Sequence, residues 1–288
     1  MSKGLKVVIL LVVLALIVWG VWALVSNNDE VAPDLSNNPV ITSADDLEGL
    51  TVAAVINYTG DFIVTDMYDE GSVAYVLRAT TPANAVMELM AGRVDAVVLD
   101  SATAAALVAL NEGLVIVEDT VAFSNENYGI AINKDNTELL TAVDAILEQM
   151  IASGYIEQIV TRFTVGGELT DFVVDGNFDV TTINDGYLIM GTNAAFPPFE
   201  FRSDAEYAVD GVAGVDVEIA KVIASALGLT LRVVDMEFGA IILSLQSNEI
   251  DLGIAGMTIR PDRAELVNFS IPYYTASQVI IARAFATN

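Results

Sequence analysis

The chain has 288 residues and is 54% hydrophobic, enough apolar side chain for a sizeable core. Its 39 acidic and 12 basic residues give a net charge of −27, which argues against nucleic acid or an anionic membrane surface as a partner. Cysteine and histidine are absent, so disulfides, thiol nucleophiles, histidine general bases and the common zinc sites are excluded. No loop has the spaced Asp/Asn pattern of a calcium site, and neither a metal nor a cofactor is expected.

In chain order, Val7 to Val25 carries no charged residue and is long enough to span a bilayer as a helix. Lys3 and Lys6 precede it, Trp19 and Trp22 lie near its outer end, and Asp29-Glu30 follow, which places the N-terminus inside. A cleaved signal peptide would need a shorter apolar region and a small-x-small site, and Trp22-Ala-Leu-Val-Ser26 is a poor one. Residues 1–30 are therefore expected to form a retained single-pass transmembrane anchor, and 31–44 a polar tether.

Strands are expected at Thr51 to Ile56, Ala74 to Arg78, Val94 to Leu99 and Leu114 to Glu118. Helices near Phe62 to Tyr68, from Thr81-Pro82 through Met90, and at Ala102 to Leu110 alternate with them. That alternation predicts an α/β lobe over 45–128 with a mainly parallel sheet. Leu139, Val143, Ile146, Leu147 and Met150 have helical spacing, and a second helix is expected at Tyr155 to Phe163. Residues 166–186 have no strong period and read as a connector. Strand, helix, strand and helix then follow at Tyr187 to Met190, Val217 to Leu227, Leu229 to Val234 and Ala240 to Gln246. Residues 129–288 are assigned to the other lobe, with 129–165 its closing helices and 187–288 its sheet core.

Residues 85–100 align without a gap on 241–256, each a helix, a polar turn, an aspartate and an apolar strand. Asp95 matches Asp251, and Asp100 falls where Gly256 does. Two similar lobes would present equivalent strand ends to each other, and ligands favour such inter-domain sites. After Ile250 to Ala255, Gly256 admits close approach of a ligand and Pro261 suits a helix start. Thr258 and Arg263 thus sit at a strand-to-helix junction suited to a carboxylate.

Gly191-Thr-Asn-Ala-Ala-Phe-Pro-Pro-Phe-Glu-Phe201, Gly214-Val-Asp-Val-Glu-Ile-Ala220, Asp235-Met-Glu-Phe238, Ala255-Gly-Met-Thr-Ile-Arg-Pro-Asp-Arg263 and Phe269-Ser-Ile-Pro-Tyr-Tyr274 occur in that order. Together they resemble the first half of the extracytoplasmic amino-acid-binding proteins of ABC importers, solute-binding protein family 3. The resemblance implies a two-lobed periplasmic-binding-protein type II (Venus flytrap) fold. The family's second half resembles Ser43 to Val52, Thr59-Gly-Asp61 and Gly92 to Asp100, yet here it comes first. The chain is expected to be circularly permuted, with its new ends in an inter-lobe hinge; a window from a tandem array is the alternative.

The resemblance implies these site residues. Arg263, with amides near Thr258, Thr59 and Gly60, grips the carboxylate of a free amino acid, and Asp100 takes its ammonium. Phe196 and Phe238 flank its side chain and Asn193 meets a polar tip. Gly256 and Tyr58 complete the set, although the family usually shows glycine and a small hydroxyl residue where Asn57 and Tyr58 stand. Asn193, Val55 and the two phenylalanines suggest a neutral ligand. The expected function is capture of an amino acid on the extracytoplasmic side and its delivery to importer permease subunits, not catalysis. A dehydratase-like enzyme using Glu200 or Asp100, or an amino-acid sensor domain, is the alternative.

Overall fold

The computed structural model describes residues 39–119, 123, 125–178 and 186–284. The expected anchor at Val7 to Val25 and most of the tether lie outside them. Among the described residues no single helix is long and apolar enough to cross a membrane.

After a 3₁₀ turn at Ala44–Leu47 the chain runs β1 (Thr51–Val55), α1 (Thr59–Asp69), β2 (Tyr75–Ala79), α2 (Pro82–Met90), β3 (Ala96–Asp100), α3 (Ser101–Leu110) and β4 (Leu114–Val117). It continues through β5 (Asn125–Tyr128), β6 (Ala131–Ile132), α4 (Thr137–Ala152) and α5 (Tyr155–Thr164). The remainder is β7 (Tyr187–Thr192), β8 (Ala195–Phe196), β9 (Glu200–Arg202), β10 (Val212–Ala213), α6 (Val215–Ala226), β11 (Thr230–Asp235), α7 (Ile241–Gln246), β12 (Leu252–Gly253), α8 (Pro261–Ala264), β13 (Asn268–Phe269) and β14 (Tyr274–Arg283).

Local chemistry sets the helix starts. Thr81 accepts from the Asn84 amide at 3.2 Å with Pro82 beginning α2, and Asn136 caps α4 through the Leu139 amide at 3.2 Å. The apolar stripe read on α4 is buried throughout.

Two sheets result. The first has strand order β2-β1-β3-β14-β4, and the second β11-β7-β12-β6-β13. In each, the three strands β2, β1, β3 or β11, β7, β12 are parallel, and the fourth strand in the order enters antiparallel to them. The fourth strand of each sheet is reached from the other sheet. The repeat is structural. Asp95 accepts from the Thr51 amide at 2.9 Å, and Asp251 does the same to the Ile189 amide at 2.8 Å, so each aspartate ties its turn to the start of the neighbouring strand. Both repeat units then end at the cleft between the sheets, one at Asp100 and one at Gly256.

Four expectations need correcting. Residues 274–283 do not belong to the second lobe's sheet. The first half of β14 pairs with β5 between the sheets, and its second half pairs with β3 and β4 in the first sheet. Neither link between the sheets is cut, because β5 and β14 run across side by side; the hinge is a two-stranded ribbon. The first sheet is also mixed at one edge, since β4 pairs antiparallel with β14. Finally, 166–178 is more than a spacer. Leu169, Phe172, Val174 and Phe178 pack on the core, and Phe172 stacks on Tyr155 with ring centroids 4.5 Å apart.

Candidate functional site

The cleft is built where β1, β3 and β12 end and the chain turns into α1, α3 and the segment leading to α8. Close approach there depends on glycine at two points. A Cβ on Gly256, at φ +51°, would lie 2.5 Å from the Phe196 ring, and one on Gly60 would lie 2.7 Å from the Val98 carbonyl oxygen. Gly256 donates its amide to Asp216 at 2.8 Å, and Tyr273 donates its hydroxyl to the same carboxylate at 2.9 Å. Asp216 thus positions the cleft floor. The N-cap place of α6 is held by Gly214, two residues before Asp216.

Arg263 is 6% exposed. Nη1 donates to the Thr258 carbonyl at 3.0 Å, and Nη2 reaches across the cleft to the Asn57 carbonyl at 2.9 Å. Its guanidinium carbon stands 5.0 Å from the Phe238 ring centroid. Burial, with Arg260 nearby, lowers its pKa to about 10, so it remains a cation at neutral pH. Thr258 donates to Glu126 at 2.7 Å, and its hydroxyl lies 3.1 Å from that of Thr59 on the opposite wall.

Asp100 occupies the N-cap position of α3, yet its side chain makes no capping bond. It accepts instead from the Tyr128 hydroxyl at 2.5 Å. Burial first, and Glu126 second, push its pKa up to about 7. A buried acid of this kind keeps its proton while the unfolded chain loses one, so its contribution to stability is full below about pH 3.8 and lost as pH rises toward 7. Asp216, raised by burial to about 6, acts in the same sense. Asp100→Asn should therefore stabilise the protein on the order of 1 kcal/mol or more at pH 7.5 and hardly at all at pH 4, measured by denaturant unfolding. Equal effects at both pH values would contradict a buried, proton-holding Asp100.

Tyr58 lies between Phe196 and Phe238. Its ring is edge-on to Phe196 at 5.3 Å and tilted against Phe238 at 4.8 Å. Its hydroxyl donates to Asn193 Oδ1 at 2.9 Å, while Asn193 Nδ2 donates to the Met236 carbonyl at 2.8 Å. Tyr58, Thr59, Asp100, Phe196, Phe238, Ala255, Gly256, Thr258 and Arg263 enclose a cavity of about 10 Å³, room for about one water. Eight of the ten residues expected at the site thus line one cavity. Asn193 stands behind Tyr58, and Gly60 packs against Val98 at the start of α1.

Sequence reasoning missed Glu126 and Tyr128, both buried on β5 and both bonded to site residues. The two share a strand face by their spacing, so placing Tyr128 inward would also have placed Glu126 there. Glu200 had been considered as an acid/base group. It lies fully buried beside Asp216, away from the cavity lining, with its pKa well above the usual carboxylate range through burial and that neighbour.

Residues 188–287 match the family model of bacterial extracellular solute-binding proteins, family 3. The arginine-binding extracellular protein ArtP of Bacillus subtilis (strain 168) is 42% identical over 96 residues, covering 33% of this chain and 36% of that protein. ABC transporter arginine-binding protein 1 of Escherichia coli (strain K12) is 33% identical over 94 residues, 33% of this chain and 37% of that protein. The virulence sensor protein BvgS of Bordetella bronchiseptica (strain ATCC BAA-588 / NCTC 13252 / RB50) is 24% identical over 247 residues, 83% of this chain and 19% of that protein. The chain spans 36% and 37% of the length of the two arginine-binding relatives, about a third of each.

Proposed function

We propose that this protein captures an amino acid between its two sheets on the extracytoplasmic side of a membrane and passes it to an ABC-type importer. The observation that carries this reading is Arg263, buried at the cleft and already gripping a carbonyl oxygen from the opposite wall. A guanidinium so placed suits a carboxylate that draws both walls together. Asp100 is the acceptor for the ammonium, and ionises when the ammonium arrives. The arginine-binding names of the relatives favour a cationic side chain over the neutral one suggested by Asn193 and Val55. Catalysis is not part of this reading, since Glu200 does not reach the cavity and Asp100 has a binding role.

The anchor at Val7 to Val25 and the circular permutation belong to the same proposal. The place of the family match, at residues 188–287 and after the other lobe, supports the permutation. A second reading, a sensor module, is favoured by one observation: the sensor relative aligns with 83% of this chain, in this order.

A thermal-shift panel of the twenty amino acids tests the capture. A ligand at a hundred times its Kd should add about 2.7 kcal/mol, a rise of roughly 5–11 °C for a domain of this size. We expect arginine or lysine to give the largest rise. A flat panel would overturn the reading.

A further inference from the structure

One dipeptide of the first lobe presents to the second lobe what an amino acid would present. Asn57 has a left-handed backbone, φ +67°, and its carbonyl oxygen accepts from Arg263 Nη2 at 2.9 Å. The next residue, Tyr58, is 6% exposed, with its ring in the Phe196–Phe238 slot and its hydroxyl on Asn193. The Asn57 side chain also meets the second lobe, since a Cβ on Gly239 would stand 2.9 Å from its Nδ2. An acceptor oxygen on the arginine, an aromatic-flanked side chain and a polar tip on Asn193 are thus all supplied from inside the molecule. At the cleft mouth, the Arg260 guanidinium carbon lies 3.6 Å from the ring centroid of Phe62 on α1, adding a cation–π contact between the same two walls.

We propose that Asn57 and Tyr58 form an internal pseudo-ligand that holds the cleft shut without solute and competes with a long cationic amino acid for Arg263 and the aromatic slot. The proposal rests on the reading of this cleft as the amino-acid site. Because the competitor is tethered, it acts at high effective concentration and lowers the apparent affinity by the fraction of molecules it occupies. The Tyr58 amide is bonded to the Val55 carbonyl at 3.0 Å, so release of the slot is a rotation of the side chain rather than a movement of the strand. Arginine can then enter where the phenol ring lay, with Asp100 below it.

The test uses the full chain. It has no native cysteine, so Asp69→Cys on α1 and Leu243→Cys on α7, both at exposed positions, carry a pair of spin labels that report the distance across the cleft. Without solute, the wild-type background should give one short distance. Tyr58→Ser should lengthen it, and arginine should shorten it again. Calorimetry should show arginine binding at least tenfold tighter in Tyr58→Ser than in wild type, about 1.4 kcal/mol. Tyr58→Phe keeps the ring and loses only the Asn193 bond, so it should shift both readouts in the same direction by less. A wild-type distance in Tyr58→Ser, or an arginine affinity that is not raised, would overturn the proposal. If Tyr58→Ser fails to fold, an unchanged distance and affinity in Tyr58→Phe overturn it instead. If no variant binds any amino acid, the capture reading fails, and the distances alone decide whether the pseudo-ligand exists.

Discussion

Arg263→Ala should reduce amino-acid affinity by about thirtyfold to several thousandfold, the equivalent of about 2–5 kcal/mol, while the protein remains folded. Removing the guanidinium leaves a bound carboxylate facing a desolvated cleft without its counter-charge. It also frees the carbonyls of Thr258 and Asn57, which Arg263 joins across the two walls. The fold survives because both sheets keep their own cores and the β5–β14 ribbon still links them. Arg263→Lys separates charge from geometry, since an ammonium cannot bond two oxygens in the planar fork of a guanidinium. It should recover part of the loss and not all of it. Calorimetry giving near-native affinity in the alanine variant would remove Arg263 from the site.

Gly214→Ala should be the most destabilising single change in the second lobe. Gly214 has φ +138°, and an added Cβ would sit 2.0 Å from the Phe199 carbonyl oxygen, a contact no side-chain rotation relieves. The start of α6 would have to lift. That breaks the bonds from the Val215 amide to the Pro198 carbonyl at 3.1 Å and from the Asp216 amide to the Phe199 carbonyl at 3.0 Å. Asp216 would then lose its hold on Gly256 and Tyr273, and the cleft floor with it. We expect a cost of about 3–5 kcal/mol, which for a domain of this size lowers Tm by roughly 6–20 °C. Gly211→Ala is the control. Its φ is also positive at +81°, but an added Cβ meets nothing within 4 Å, so only backbone strain, about 1 kcal/mol, should appear. Equal losses in the two variants on thermal unfolding would show that crowding at Phe199 is not the cause.

Much of this architecture could be read from the residues because it is locally encoded. The aspartates of the repeat, Asp95 and Asp251, close equivalent turns, and the apolar strands after them end at equivalent points of the cleft. Pro82 and Pro261 begin their helices as their fixed φ favours. What could not be read is which distant strand an extended segment joins. Tyr274 to Arg283 is one continuous apolar-rich strand, and nothing in its pattern says that four residues pair between the lobes and the rest enter the far sheet. The direction of a side chain at a turn was equally hidden. Tyr58 could be placed at the cleft, but its insertion between Phe196 and Phe238 depends on a wall more than a hundred residues away. Glu126 escaped notice because a charged residue in an alternating strand is ordinarily expected to face solvent, whereas here a buried threonine hydroxyl, that of Thr258, donates to it. The segment after α5 was read as a spacer because its apolar residues are sparse; tertiary packing, not period, gives them their place.

A crystal structure of the full chain grown with the amino acid of largest thermal shift tests the central claim most directly. The account predicts that amino acid between the two sheets, its carboxylate on Arg263, its ammonium at Asp100 and its side chain between Phe196 and Phe238, with the Tyr58 ring displaced. A ligand bound elsewhere, with Arg263 still on the Asn57 carbonyl and Tyr58 still in the slot, would contradict it.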